Sequence, residues 1–287
     1  MKEIKVKIVH AFSINGMGGN PAGVVINADD LSRQEKQKIA AKLGLSEVAY
    51  VSKSNEADFK LEFFTPTKQI AHCGHATIAT FTYLKQQGFI LNDFSSKETI
   101  DGNREIFFKN GFAYMEQQAP IYKDVQHELI EILSSIGVSE SDLFAKPSIV
   151  NTGNSFLIIP IANANILKEL QPNFDMVKQS SEKNGLIGYY LFSLSDEPTV
   201  VATARMFAPL YGINEEAATG MAAGPLACYL FDKGFTKKMS LQIKQGELMK
   251  PLSPSLIYVD LIIEDGKIKK LFAGGDAVVV DEKTVMI

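Results

Sequence analysis

Ala71-His72-Cys73-Gly74-His75-Ala76-Thr77 and Glu215-Glu216-Ala217-Ala218-Thr219-Gly220-Met221-Ala222 are the two stretches that decide how this chain folds. Each follows an extended apolar run, Phe63-Phe64-Thr65-Pro66 in the first case and Met206-Phe207-Ala208-Pro209 in the second, and each opens a helical segment. The two segments also close alike, through Tyr83-Leu84 to Gly88-Phe89 and through Tyr229-Leu230 to Gly234-Phe235. The offset is 146 positions (229 less 83), and it also pairs Gly74 with Gly220. Ahead of the turns the offset is 143 (207 less 64), so the second copy carries three extra residues before its glycine. Two copies at so long a period predict tandem domains of one fold rather than a solenoid.

Length and composition agree. At 287 residues the chain exceeds the usual single domain. Apolar residues at 46% and charged residues at 22% suit a globular protein with a sizeable core. The net charge of -4 comes from interspersed signs without a long basic run, which argues against a nucleic-acid partner. No stretch approaches the roughly 18 consecutive apolar residues that span a bilayer, so no membrane partner is expected. The opening Met1-Lys2-Glu3-Ile4-Lys5-Val6-Lys7-Ile8 alternates like a strand and lacks the apolar centre of a secretory signal, so the expected location is cytoplasmic. Cys73 and Cys228 make neither a disulfide framework nor a metal-ligand cluster.

Along the chain, strands are predicted over 4–12, 23–27, 48–52 and 58–64, with a glycine-rich loop at 13–21. Ser32 to Glu35 has capping-box form ahead of a helix that Gly44 ends. Residues 76–87 are read as a helix closed by Gly88, and Asn110-Gly111 as a hairpin turn. The first domain is placed at 1–117 and the second at 118–275, with a last strand within 276–287. In the second domain Val125, Leu129, Ile132, Leu133 and Ile136 form a helical stripe, a helical region covers 166–181, and strands cover 187–192, 200–207, 255–263 and 268–272. If the halves face each other, both helix N-termini aim at one cleft, and their free N–H groups suit a carboxylate or phosphate.

Glu47 lies between a helix end and the apolar Val48-Ala49-Tyr50, surroundings that would raise the pKa of a carboxylate and make it a proton-abstracting base. The equivalent junction in the second copy, Asn184-Gly185-Leu186-Ile187, has no acid. His75 could relay a proton or bind a carboxylate at its helix start, and its counterpart Met221 can do neither. Glu215 and Glu216 either stabilise a helix N-terminus or take part in substrate binding and proton work. Cys73 is the rival nucleophile, since a thiol at a helix N-terminus is expected to have a lowered pKa. A two-thiol racemase would need a second cysteine at the mirrored position, which is Thr219. The loop Gly16-Met17-Gly18-Gly19-Asn20 lacks both the Gly-Lys-Ser/Thr of a P-loop and Rossmann spacing, so it is read as a tight turn.

Gly19-Asn20-Pro21-Ala22-Gly23-Val24-Val25, Leu45-Ser46-Glu47-Val48-Ala49-Tyr50-Val51, Phe64-Thr65-Pro66 through Cys73-Gly74-His75-Ala76-Thr77, and Glu215 through Gly220 together resemble the PhzF-like isomerase family of phenazine biosynthesis. The likeness runs in order over nearly the whole chain. It implies an α+β fold of two pseudo-symmetric, diaminopimelate-epimerase-like domains, each a strand-rich barrel around a central helix, with the site between them. It further implies that the last strand, within 276–287, returns to the first domain, that isomerisation needs no cofactor or metal, and that the protein is a homodimer. Glu47 matches the glutamate that moves a proton on a small unsaturated or amino carboxylic acid, and Gly74 and His75 match the Gly-His pair. Glu216 stands where the family has aspartate, Ala217 where it has proline and Met221 where it has serine. The resemblance thus gives Glu47, His75 and Glu216 as catalytic residues and Asn20, Gly74, Thr219, Gly220 and Met221 as substrate contacts. Two other functions follow from the departures and the thiol: a small-carboxylate-binding protein without turnover, and a racemase using Cys73.

Overall fold

The computed structural model describes residues 2–287 and resolves into two units, Met1–Glu116 with Gly274–Ile287, and Gln117–Ala273. The class is mixed α+β: strands dominate each unit, and one long helix in each is almost entirely buried.

In the first unit the alternating Glu3–Ala11 strand lies antiparallel to both Asn20–Val25 and the closing strand Ala277–Met286. That closing strand runs ten residues, well beyond the apolar Ala277–Val280 that marks it in the sequence. Asn20–Val25 runs parallel to Val48–Ser52, a pairing that needs a crossover, which the helix Arg33–Leu43 provides. Ser32 and Glu35 form the expected capping box, and Gly44 ends the helix in the left-handed conformation. Val48–Ser52 pairs antiparallel with Phe59–Phe64, which in turn pairs in parallel with Phe94–Thr99. The crossover here is the helix Gly74–Gln86. Gly102–Lys109 and Phe112–Gln118 form the Asn-Gly hairpin, with positive φ at both Asn110 and Gly111.

The same scheme recurs in the second unit. Ser155–Pro160 runs parallel to Gly188–Leu194, which pairs antiparallel with Val200–Phe207, which pairs in parallel with Ser240–Gln245 across the helix Gly220–Asp232. Both the helix and the strand after it repeat at the 146-residue offset to the residue. The helical region expected over 166–181 is two helices, Ala164–Glu169 and Phe174–Asn184, because Pro172 has no N–H to continue the first. The stripe from Val125 to Ile136 faces a core shared with Leu157, Leu191 and Phe207.

The first central helix buries eleven consecutive residues, Gly74 to Leu84, and packs on the strands Glu3–Ala11, Asn20–Val25, Val48–Ser52 and Ala277–Met286. A helix buried on all sides is a core element, so its first turn is held by protein rather than by water. No helix among the described residues is long and apolar enough to cross a membrane.

Candidate active site

Parallel pairing places the starts of two strands side by side in the first unit, with the Gly23 N–H donating to the Glu47 carbonyl at 3.0 Å. Asn20 and Glu47 therefore both sit at strand starts, and both are buried, Asn20 inside a strand rather than in the expected loop. The first central helix opens close by, with Cys73 in the N-cap position. Glu47 Oε2 lies 3.2 Å from His75 Nε2, and Cys73 Sγ lies 3.5 Å from His75 Nδ1. Exposure of the three residues is 6% for Glu47 and 4% for each of the others, so this is a nearly dry cluster.

Burial pushes the Glu47 carboxyl upward, as expected. The positive charge of the adjacent His75, with a hydrogen bond from Ser46, outweighs it and holds the group below the ordinary carboxylate range. The expectation of a raised pKa is thus corrected: Glu47 is ionised at neutral pH. Its Oε2 is buried and receives no well-aligned hydrogen bond, so the close approach of His75 is electrostatic and leaves lone pairs open. Cys73 also departs from expectation. Burial raises its thiol above the normal range despite the helix N-terminus and the neighbouring His75. Glu47, Cys73 and His75 present donor atoms within 4.8 Å of one another, close enough to hold a cation, although the sequence suggested no metal.

Beneath this cluster the turn is braced. The Thr77 hydroxyl donates to the Cys73 carbonyl at 2.6 Å, and Lys97 Nζ donates to Thr77 Oγ1 at 2.7 Å. Lys97 Nζ also lies 3.3 Å from His72 Nδ1. Lys97 is wholly buried, and burial together with the Arg104 charge brings its pKa down to about 7.

The second turn is built from different parts. Glu215 accepts two hydrogen bonds of 2.8 Å from the Arg205 guanidinium, which also donates to the Leu167 and Lys168 carbonyls and stacks over Phe207. Glu215 is thereby a structural ion-pair partner. The Glu216 carboxylate accepts from the Thr219 hydroxyl. Gln245, wholly buried, accepts from the Thr219 N–H at 3.0 Å and from the Tyr190 hydroxyl at 2.9 Å, and donates to the Glu216 carbonyl at 2.7 Å. Gln117 donates to the Gly220 carbonyl at 3.0 Å. It lies so close to the helix that a Cβ on Gly224 would come within 2.2 Å of its Oε1.

The family described as phenazine biosynthesis-like protein matches residues 9–283. This chain belongs to that family. A Clostridium acetobutylicum protein named an uncharacterized isomerase is 33% identical, with 97% of each chain covered. The trans-2,3-dihydro-3-hydroxyanthranilate isomerase of Pseudomonas chlororaphis is 27% identical, with 98% of each covered. A crystal structure of the Bacillus anthracis PhzF-family phenazine biosynthesis protein matches the whole of both chains at 31% identity and a TM-score of 0.88.

Met221 and Ala217, read from the sequence as departures from the pattern it resembles, both belong to the second turn. Met221 is half-buried and its Sδ accepts from Asn154 Nδ2 at 3.6 Å. Ala217 is buried, and its neighbour Glu216 anchors its own N–H on the Met206 carbonyl at 3.1 Å. Sequence reasoning missed Lys97, Gln245, Arg205 and Gln117. A lysine or glutamine at the inward positions of a short polar strand was the available signal for the first two.

Proposed function

We propose that this member of the phenazine biosynthesis-like family is an isomerase that moves a proton between carbons of a small unsaturated carboxylic acid, with Glu47 as the base. One observation carries the reading: a buried, ionised glutamate with an open oxygen lone pair stands 3.2 Å from a histidine in the first turn of a buried helix. The Glu47 carboxylate removes a proton from a carbon next to the substrate's double bond. The electron pair of that C–H bond enters the π system, which becomes an extended anion, and the proton held by Glu47 is returned to the far carbon. Every atom of the substrate is retained. The Gly74 and His75 N–H groups, at the positive end of the helix, stabilise the anion. His75 serves as the neighbouring acid that keeps Glu47 ionised between turnovers. Glu216, with Thr219, Gly220 and Met221, is assigned in the same reading to substrate recognition, as is Asn20.

The names of the relatives support an isomerase, and that of the Pseudomonas relative supplies the first compound to test. Incubated in D2O with trans-2,3-dihydro-3-hydroxyanthranilate and related unsaturated acids, the protein should yield an isomer carrying deuterium at the carbon that gains the proton. An isomer formed with no solvent deuterium at all would favour a shielded transfer. Tight binding with neither product nor exchange would favour the binding-protein reading that Met221 and Ala217 suggest. The racemase reading has no support from Cys73, whose thiol is raised by burial and whose mirrored position is Thr219.

A further inference from the structure

Lys97 is a costly residue to place where it is. It is wholly buried, and its ammonium meets only neutral groups at close range: Thr77 Oγ1 at 2.7 Å, His72 Nδ1 at 3.3 Å and the face of Phe63 at 5.2 Å. The sheet itself does not require it. At the same strand position in the second unit, 146 residues on, stands Ile243, equally buried and wholly apolar. The lysine therefore serves something that the first unit has and the second lacks.

The hydrogen-bond directions identify what. Thr77 gives its one hydroxyl proton to the Cys73 carbonyl at 2.6 Å, so its oxygen can only accept from Lys97. Burial and the charges of Lys97 and Arg104 keep His72 neutral, so its Nδ1 is free to accept as well. Both bonds persist whether Lys97 carries three protons or two. The Cys73 carbonyl belongs to the same planar trans peptide as the Gly74 N–H, and the two groups point in opposite directions. Fixing the carbonyl therefore fixes the line along which the Gly74 N–H is presented at the helix start.

We infer that Lys97 is a positioning residue: through Thr77 it locks the Cys73–Gly74 peptide, and through His72 the residue before it, so that the Gly74 N–H and His75 are held in register with Glu47. The inference rests on the isomerase reading for its effect on turnover, but the positioning itself is independent of any substrate.

The test uses Lys97→Met, which keeps an unbranched apolar stem and removes the amine, together with Thr77→Val and Thr77→Ser. Lys97→Met and Thr77→Val should each lower kcat by about tenfold with little change in KM, since a displaced donor is felt mainly in the transition state. Thr77→Ser, which keeps the hydroxyl, should retain most of the wild-type rate. The double variant Lys97→Met/Thr77→Val should lose less than the product of the two single losses, because both cut the shared Lys97–Thr77–Cys73 chain of contacts. In the substrate-free protein the Gly74 amide resonance should move in Lys97→Met and Thr77→Val and stay near its wild-type position in Thr77→Ser. That spectrum needs no activity, so a failed isomerase reading and a failed positioning role are told apart. If Lys97→Met does not fold, the Val and Ser variants at Thr77 carry the test. A wild-type kcat with an unmoved Gly74 resonance in Thr77→Val, or losses that multiply in the double variant, would overturn the inference.

Discussion

The two helix-opening turns share one frame and almost no chemistry. Gly74–Gln86 and Gly220–Asp232 have the same length, the same offset to the following strand and the same place as a parallel crossover. In the first, the groups at the turn are titratable and close: Glu47, Cys73 and His75, braced from below by Lys97. In the second, the acids are engaged within their own unit: Glu215 by Arg205, Glu216 by Thr219, and the turn backbone by Gln245. A duplicated backbone thus supplies two positive helix ends, while the reactive pair has been built on one of them. The brace differs too, and from one strand position to the next: the position of Lys97 in the first unit is taken by Ile243 in the second, and that of Gln245 in the second by Thr99 in the first.

The comparison can be broken most sharply at His75. His75→Ala should lower kcat by about two to three orders of magnitude, as loss of a positioned acid and charge does. It should also remove the charge that holds Glu47 down, leaving burial to act alone. The acid limb of the pH–rate profile should then move to higher pH, because Glu47 would protonate earlier as pH falls. An unmoved limb would dissociate the two residues.

On the second turn the expected effect is on stability. Arg205→Met leaves the Glu215 carboxylate without its bidentate partner and should cost about 3 kcal/mol in urea unfolding. A loss of activity without loss of stability would instead place Glu215 in the chemistry.

Lys97 sharpens the contrast through pH. Its folded pKa of about 7 lies below the ordinary 10.5, set first by burial, then by the opposing charges of Cys73, Arg104 and Asp101. Between those values the unfolded chain binds more protons than the folded one, so Lys97 makes stability rise with pH across that window. The slope should flatten in Lys97→Met, read by urea unfolding from pH 7 to 10, with Lys97→Met/Cys73→Ala separating the thiol's own titration. The smallest effect belongs to Cys73→Ala, which should keep kcat/KM within about threefold; a nucleophile would lose orders of magnitude.

Much of this was legible in the residues. The glycine turns, the 146-residue repeat, the Ser32 capping box and the Asn110-Gly111 hairpin are local signals, and local geometry honours them. Phe94–Thr99 and Ser240–Gln245 were not legible as strands, because Ser95, Ser96, Lys97 and Glu98, or Gln242, Lys244 and Gln245, read as surface. They are strands because they close a parallel pairing across a buried helix, a tertiary cause. The braces Lys97 and Gln245 were missed with them. The ionisation of Glu47 was misjudged for a similar reason: its apolar neighbours are adjacent in sequence, whereas the charge that outweighs them sits 28 residues on, at His75.

The central claim is that Glu47 moves the proton. Glu47→Gln keeps the size and removes the base, so the folded variant should show no incorporation of solvent deuterium into an unsaturated carboxylic acid that the wild-type protein isomerises. Wild-type incorporation in that variant would contradict the claim outright.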